Sequence, residues 1–281
     1  MNELNITFYQ QNIVWGDAEA NRHKVATTLT QSSNQAIRQS DIFVVPETFT
    51  TGFGDHMASL AEEQEGPTLQ WARQMASKHN FLFVGTWIIR EGDRCYNRLH
   101  WVYPDGSVGH YDKAHTFRVS GEYNIISRGT QREVFEYKGW RIKPAVCYDL
   151  RFPKWLRNNV EFRKSNSEVA ATCSKFKIQN SKLQYDLLLV CANWPGSRHE
   201  AWTTLLKARA IENLSYVLGC NRSGVDGVGG NYTGNSALID YKGFPLAEAV
   251  AGSDQLVTVT LDKEKLDRFR ERWPLYLDFD K

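Results

Sequence analysis

The sequence predicts an α/β protein with a mixed sheet. Continuous apolar runs at Asp41-Ile-Phe-Val-Val45 and Asp186-Leu-Leu-Leu-Val-Cys191 have the pattern of strands covered on both faces. Residues 97–111 alternate around Pro104-Asp105-Gly106, as in an antiparallel hairpin. Between such runs lie segments whose apolar residues recur at helical intervals.

Taken in order, β-type runs are expected at 6–9, 42–45, 81–89, 99–103, 141–146, 187–192, 216–221, 237–240 and 256–261. A helix is expected over 17–39, where Val25, Leu29 and Ile37 recur at roughly helical spacing. A second is expected over 68–78, after the helix-compatible Gly66-Pro67 opening. A third, over 200–213, sets Trp202, Leu205 and Leu206 along one face, and Arg209 with Glu212 as a structural ion pair. Residues 160–184, rich in Lys, Ser, Asn and Gln, predict a long surface insertion, either functional, such as a lid, or else disorder or plain surface decoration. With no repeat and no linker, residues 1–281 are expected to form one domain.

Composition narrows the function classes. At 42% hydrophobic, with nine Trp and fourteen Phe, the chain fills a real core. Its 34 Lys+Arg against 32 Asp+Glu give a formal charge of +2, far from the basic surface that nucleic-acid binding needs. No secretory leader and no apolar run of about 18 residues is present, so neither export nor a membrane helix is expected and the expected address is the cytoplasm. The sequons at Asn5 and Asn231 and the two Asn-x-Ser sites are then chance matches. Five cysteines without a Cys-x-x-Cys pair argue against a disulfide framework and a zinc ribbon, and His110 with His115 makes only a weak metal signal. The glycines of residues 223–230 do not complete a dinucleotide fingerprint, because Tyr232 stands where the final glycine would fall.

Three segments carry chemistry. In residues 143–153 an apolar run ends abruptly at Cys147, the pattern of a nucleophile on a sharp strand-end turn whose following N–H groups receive an oxyanion. A thiol with an ordinary pKa of about 8.5 needs a base or a cation beside it. Glu47 sits just past an apolar strand, where burial suits a carboxylate to proton shuttling, and Lys113 follows an alternating strand and offers an ammonium. Taken singly, each has a structural reading: a buried thiol, a carboxylate facing water, a lysine in a turn.

Together, Pro46-Glu47, Tyr111-Asp-Lys113-Ala-His115 and Val146-Cys-Tyr-Asp-Leu-Arg-Phe-Pro153 resemble, in this order, the three signatures of the nitrilase (carbon-nitrogen hydrolase) superfamily. The similarity runs from the first strand to about Asp262. Ala192-Asn-Trp-Pro195, Lys207-Ala-Arg-Ala-Ile-Glu-Asn213, Gly219-Cys-Asn-Arg222 and Tyr232-Thr-Gly-Asn-Ser236 resemble its omega-amidase branch, whose members hydrolyse alpha-ketoglutaramate-type amides. The resemblance implies a four-layer α-β-β-α sandwich and a homodimer. It implies Glu47 as general base, Lys113 as the cation at the tetrahedral intermediate, Cys147 as nucleophile and the Tyr148 N–H as an oxyanion donor. Glu122 would orient Lys113 or the substrate, or else be a surface glutamate. The implied reaction uses a small amide and water, with no metal and no organic cofactor. Residues 160–184 depart from the family pattern by their length.

A substrate carboxylate would need a cation. Arg151 is the first candidate, with Arg118 and Arg198 behind it, unless Arg151 braces the turn through Asp149. Phe117 and Trp194 are candidate pocket walls. The alternatives are another carbon-nitrogen substrate (a nitrile, an N-carbamoyl amine or a deaminated peptide amide) or a binding protein that kept the fold without turnover.

Overall fold

A computed structural model describes residues 2–31, 39–162 and 181–278. In chain order the first half contains β1 (Glu3–Gln10), α1 (Ala18–Gln31), β2 (Ile42–Val44), α2 (Pro67–His79), β3 (Leu82–Glu91), β4 (Arg94–Val102) and β5 (Val108–Asp112). The second half contains β6 (Phe135–Tyr137), β7 (Trp140–Val146), α3 (Pro153–Leu156), β8 (Val160–Phe162), β9 (Ser181–Leu183), β10 (Leu187–Ala192), α4 (His199–Asn213) and β11 (Tyr216–Asn221). It closes with β12 (Ser223–Val225), β13 (Asn231–Thr233), β14 (Ala237–Ile239), β15 (Pro245–Glu248), β16 (Gln255–Asp262) and α5 (Lys263–Arg272).

Local chemistry fixes the helix ends. Asp17 accepts the Ala20 N–H (2.9 Å) at the start of α1, and Asp262 accepts the Lys265 N–H (3.0 Å) at the start of α5. In α2, Pro67 opens the first turn and Asn80 ends it in a left-handed conformation, its N–H returning to the Ala76 carbonyl. Of the helix expected over 17–39, residues 32–38 lie outside the described residues.

Two six-stranded sheets form, in the orders β16-β1-β2-β3-β4-β5 and β15-β14-β11-β10-β7-β6. Each has a parallel trio at its heart, β1-β2-β3 in one and β11-β10-β7 in the other, flanked by antiparallel strands. The sheets meet face to face: Leu4, Ile6, Phe8, Ile42 and Val44 pack with Ile142, Val146, Leu187, Leu189 and Leu218 in one core. The outer face of the first sheet is covered by α1 and α2 through Val25, Leu29, Leu69 and Ala72, and that of the second by α4 through Trp202, Leu206 and Ala210. The result is the four-layer α-β-β-α sandwich. Burial on both faces explains the unbroken apolar runs of β2 and β10, where alternation would leave one face wet.

The segment 160–184 opens and closes differently from a plain loop. β8 and β9 form an antiparallel ribbon, with Val160 opposite Leu183 and Phe162 opposite Ser181. The rest of it, 163–180, lies outside the described residues.

Candidate active site

Strand ends deliver the site residues. Glu47 follows β2, Lys113 follows β5, Cys147 follows β7 and Asn193 follows β10, so the C-terminal ends of strands from both sheets converge. Two of these ends turn through the left-handed region: Thr48 has φ 43° and Cys147 has φ 44°. Such angles are costly for residues with a Cβ and persist only where the surroundings impose them.

At Cys147 the surroundings are Asp149 and Arg209. Fully buried Asp149 accepts from the Val146 N–H (3.0 Å), Tyr111 Oη (2.8 Å), the His115 N–H (2.9 Å) and His115 Nδ1 (2.7 Å). Arg209 donates from Nε (3.0 Å) and Nη2 (2.8 Å) to the Leu150 carbonyl, and its Nη1 pairs with Glu212 at 3.0 Å. The turn after the thiol is therefore held from both sides, and Asp149 is occupied by groups other than Arg151.

Beside the thiol lies a buried ion cluster. Lys113 Nζ donates to Glu47 Oε1 (2.9 Å) and to both oxygens of Glu122 (2.9 and 3.0 Å). Glu47 also accepts from Asn97 Nδ2 (2.8 Å) and the Asn193 N–H (2.7 Å), and Glu122 from the Phe117 N–H (2.5 Å). Asn193 Nδ2 donates to the Glu47 carbonyl and to Thr48 Oγ1 (2.9 Å), which locks the left-handed turn. Burial alone would lower the Lys113 ammonium, but the charges of Glu122 and Glu47 outweigh it and hold it above the ordinary lysine range. Burial, and then the negative charge of Glu47, raise the Glu122 carboxyl despite the opposing Lys113. Burial and the neighbouring Glu47 charge push the Cys147 thiol well up, with Lys113 pulling the other way. These surroundings favour the protonated thiol and leave its proton to a neighbouring base.

These groups open into a cavity of about 510 Å³. Lys113, Glu122, Cys147 and Asn193 line its reacting end, and Phe117, Tyr148, Arg151, Trp194 and Arg198 line further walls. Arg151 lies over the Trp194 ring (4.9 Å to the centroid) and Arg198 over the Phe117 ring (5.2 Å). Arg118 packs on Tyr123 (4.7 Å) and does not line this cavity.

Of the ten residues singled out from the sequence, Glu47, Lys113, Glu122, Cys147, Tyr148, Arg151, Arg198, Phe117 and Trp194 come to one place, and Arg118 does not. Glu122, which had a surface alternative, is buried against Lys113. Sequence reading missed Asn97 and Asn193 as partners of Glu47, and considered Asp149 only as a brace for Arg151. The Ala192-Asn-Trp-Pro195 segment was noticed, but nothing in it says that Asn193 bonds back to a residue 146 positions earlier.

The chain matches the carbon-nitrogen hydrolase family over residues 5–271. The omega-amidase YafV of Yersinia enterocolitica is 40% identical over 281 residues, covering 100% of this chain and 98% of that protein. A 2-oxoglutaramate amidase of Bacillus subtilis (strain 168) is 29% identical over 279 residues, covering 98% of this chain and 97% of its own. Among solved structures, a CN-hydrolase superfamily protein from Xanthomonas campestris with an arsenic adduct in its active site superposes with a TM-score of 0.89 at 40% identity, covering 100% of this chain and 98% of that one. Sheet order, layers and sequence agree, and the chain belongs to the carbon-nitrogen hydrolase family, on its omega-amidase branch.

Proposed function

We propose that this protein hydrolyses the omega-amide of a short dicarboxylic or keto acid, alpha-ketoglutaramate-like, to the free acid and ammonia. The observation that carries this reading is a thiol on a strained turn beside one ammonium shared by two buried carboxylates, in a cavity that also presents two guanidinium groups. The first three groups serve an amide carbonyl and the guanidiniums serve a carboxylate. The names of two relatives, omega-amidase and 2-oxoglutaramate amidase, support the same substrate class.

The mechanism follows from the proton positions. Glu47 takes the Cys147 proton as sulfur attacks the amide carbon. The oxyanion is stabilised by Lys113 Nζ and the Tyr148 N–H. Collapse breaks the C–N bond, and Glu47 returns the proton to the leaving nitrogen, releasing ammonia and leaving a thioester. Water, deprotonated by Glu47, then cleaves the thioester to acid and thiol. Glu122 keeps Lys113 aimed.

We also infer a homodimer working in the cytoplasm. Cys95, Cys147, Cys191 and Cys220 are all unpaired, which suits a reducing compartment, and exposed Ile211, Phe244 and Leu246 offer apolar surface for a second copy. Among the described residues no helix is long and apolar enough to cross a membrane.

The test is ammonia release from alpha-ketoglutaramate, succinamate, glutamine, a nitrile and an N-carbamoyl amine by wild type and Cys147→Ala. Turnover of the keto-amide or succinamate is expected, falling by at least about 1,000-fold in the variant. Turnover confined to the nitrile or carbamoyl substrate would overturn the substrate assignment, and an active variant would overturn the mechanism.

A further inference from the structure

The stretch 115–128, which gives Phe117 and Glu122 to the active site, also walls a second cavity, of about 960 Å³. Tyr148 and Ile125 line both cavities, whereas Lys113, Glu122 and Cys147 line only the first. Three residues on the second wall are arginines, Arg94, Arg118 and Arg128, and one is a carboxylate, Asp93. Among the described residues none of these arginines forms an ion pair. His115, on the same wall, is already bonded through Nδ1 to Asp149 (2.7 Å).

The protein itself holds these guanidiniums in place. Arg118 lies over the Tyr123 ring (4.7 Å to the centroid). Arg128 Nε donates to the Ala114 carbonyl (2.6 Å), which leaves its Nη groups without a protein acceptor among the described residues. Arg94 opens β4, and the Ser127 N–H ties the stretch to that strand through the Cys95 carbonyl (2.7 Å). Arginines scattered over a convex surface are each solvated on their own. Three that border one concave space repel one another, and an anion between them removes that repulsion. Asp93 offsets one of the three charges, so the cavity favours an anion with at least two negative charges. Forked donors from separate parts of the chain suit oxygens grouped on one centre or on a short carbon skeleton.

We propose that this cavity is a second ligand site, for a small oxyanion carrying at least two negative charges, a phosphate or a short polycarboxylate. The proposal is independent of the amide that the first cavity hydrolyses, and its test needs no turnover.

The experiment is isothermal titration and thermal melting at fixed ionic strength, with inorganic phosphate and with citrate as probes. Wild type is compared with Arg94→Glu, Arg118→Gln and Arg151→Gln. Arg94 and Arg118 are both exposed, so their replacement leaves the core untouched, and Arg151→Gln reports on anions that enter the active-site cavity instead. At least one probe is expected to saturate wild type with a Kd at or below about 1 mM and, at ten times that concentration, to raise the melting temperature by roughly 2–4 °C. Arg94→Glu and Arg118→Gln should each weaken this binding at least about tenfold, while Arg151→Gln changes it less than about twofold. Saturation by phosphate alone assigns the site to a phosphoryl group, and saturation by citrate alone assigns it to a polycarboxylate. No saturable binding of either probe, unchanged affinity in both Arg94→Glu and Arg118→Gln, or binding lost only in Arg151→Gln would overturn the proposal.

Discussion

Around Asp186 one carboxylate is held by three cations, whereas around Lys113 one cation is held by two carboxylates. Asp186 pairs with Arg141 (3.0 Å), Lys263 (2.6 Å) and Arg270 (2.8 Å) and accepts the Arg141 N–H (3.1 Å). The surplus donors are used elsewhere, with Arg270 bonded to the carbonyls of Leu214 (2.8 Å) and Tyr185 (2.9 Å) and Arg141 to that of Leu183. Burial alone would raise the Asp186 carboxyl, but Arg270, Arg141 and Lys263 hold it well below the usual carboxylate range. This knot ties α5 to the second sheet. The Lys113 cluster shares one ammonium between two carboxylates, and the side-chain oxygens of Asn97 and Asn193 beside it are buried without a partner among the described residues. It opens onto the cavity that holds Cys147. A saturated ion cluster is structural cement; one with unmet acceptors beside a nucleophile is poised for reaction.

The largest effect should come from the saturated cluster. Asp186→Asn strands two buried arginines and the half-buried Lys263, and denaturant unfolding is expected to show a loss of about 3–5 kcal/mol. The folded fraction should keep the wild-type KM; a changed KM with unchanged stability would reverse the roles given to the two clusters. Next, Lys113→Gln should lower kcat about 100- to 1,000-fold, as for loss of one oxyanion donor. Its melting temperature should fall less than that of Asp186→Asn, and equal falls would erase the contrast. The smallest effect is in pH. A carboxyl depressed in the folded state contributes stability that is complete above its unfolded pKa of about 4 and fades as pH drops toward the folded value. The stability gap between wild type and Asp186→Asn should therefore narrow below about pH 4, and a gap of constant width down to pH 3 would show that the Asp186 charge does not hold the knot together.

Much of this was legible in the sequence because burial on both faces leaves a composition trace. β2 and β10 are unbroken apolar runs, and the 97–111 hairpin alternates around its turn. The reacting groups were legible because each stands at the end of such a run. What stayed hidden has little local trace. β15, Pro245–Glu248, is a short edge strand with mostly exposed residues, and α5 buries only Leu266 and Arg270. Pairing of β8 with β9 depends on residues about twenty positions apart. The choice between Arg151 bracing Asp149 and Arg151 facing the cavity needed the positions of Tyr111 and His115, which supply the partners of Asp149 from another sheet. The left-handed turns at Thr48 and Cys147 carry no glycine to announce them.

β1 lies between β2 and β16, pairing in register from Glu3 with Asp262 to Gln10 with Gln255. β1 therefore lacks one neighbour until residues some 250 positions later in the chain have left the ribosome. Its backbone groups on that side stay exposed during synthesis, and ring closure over some 250 residues makes the final step slow. The early strand is consequently the place where a nascent chain pairs with the wrong neighbour, and truncation before Gln255 leaves it as a permanent open edge.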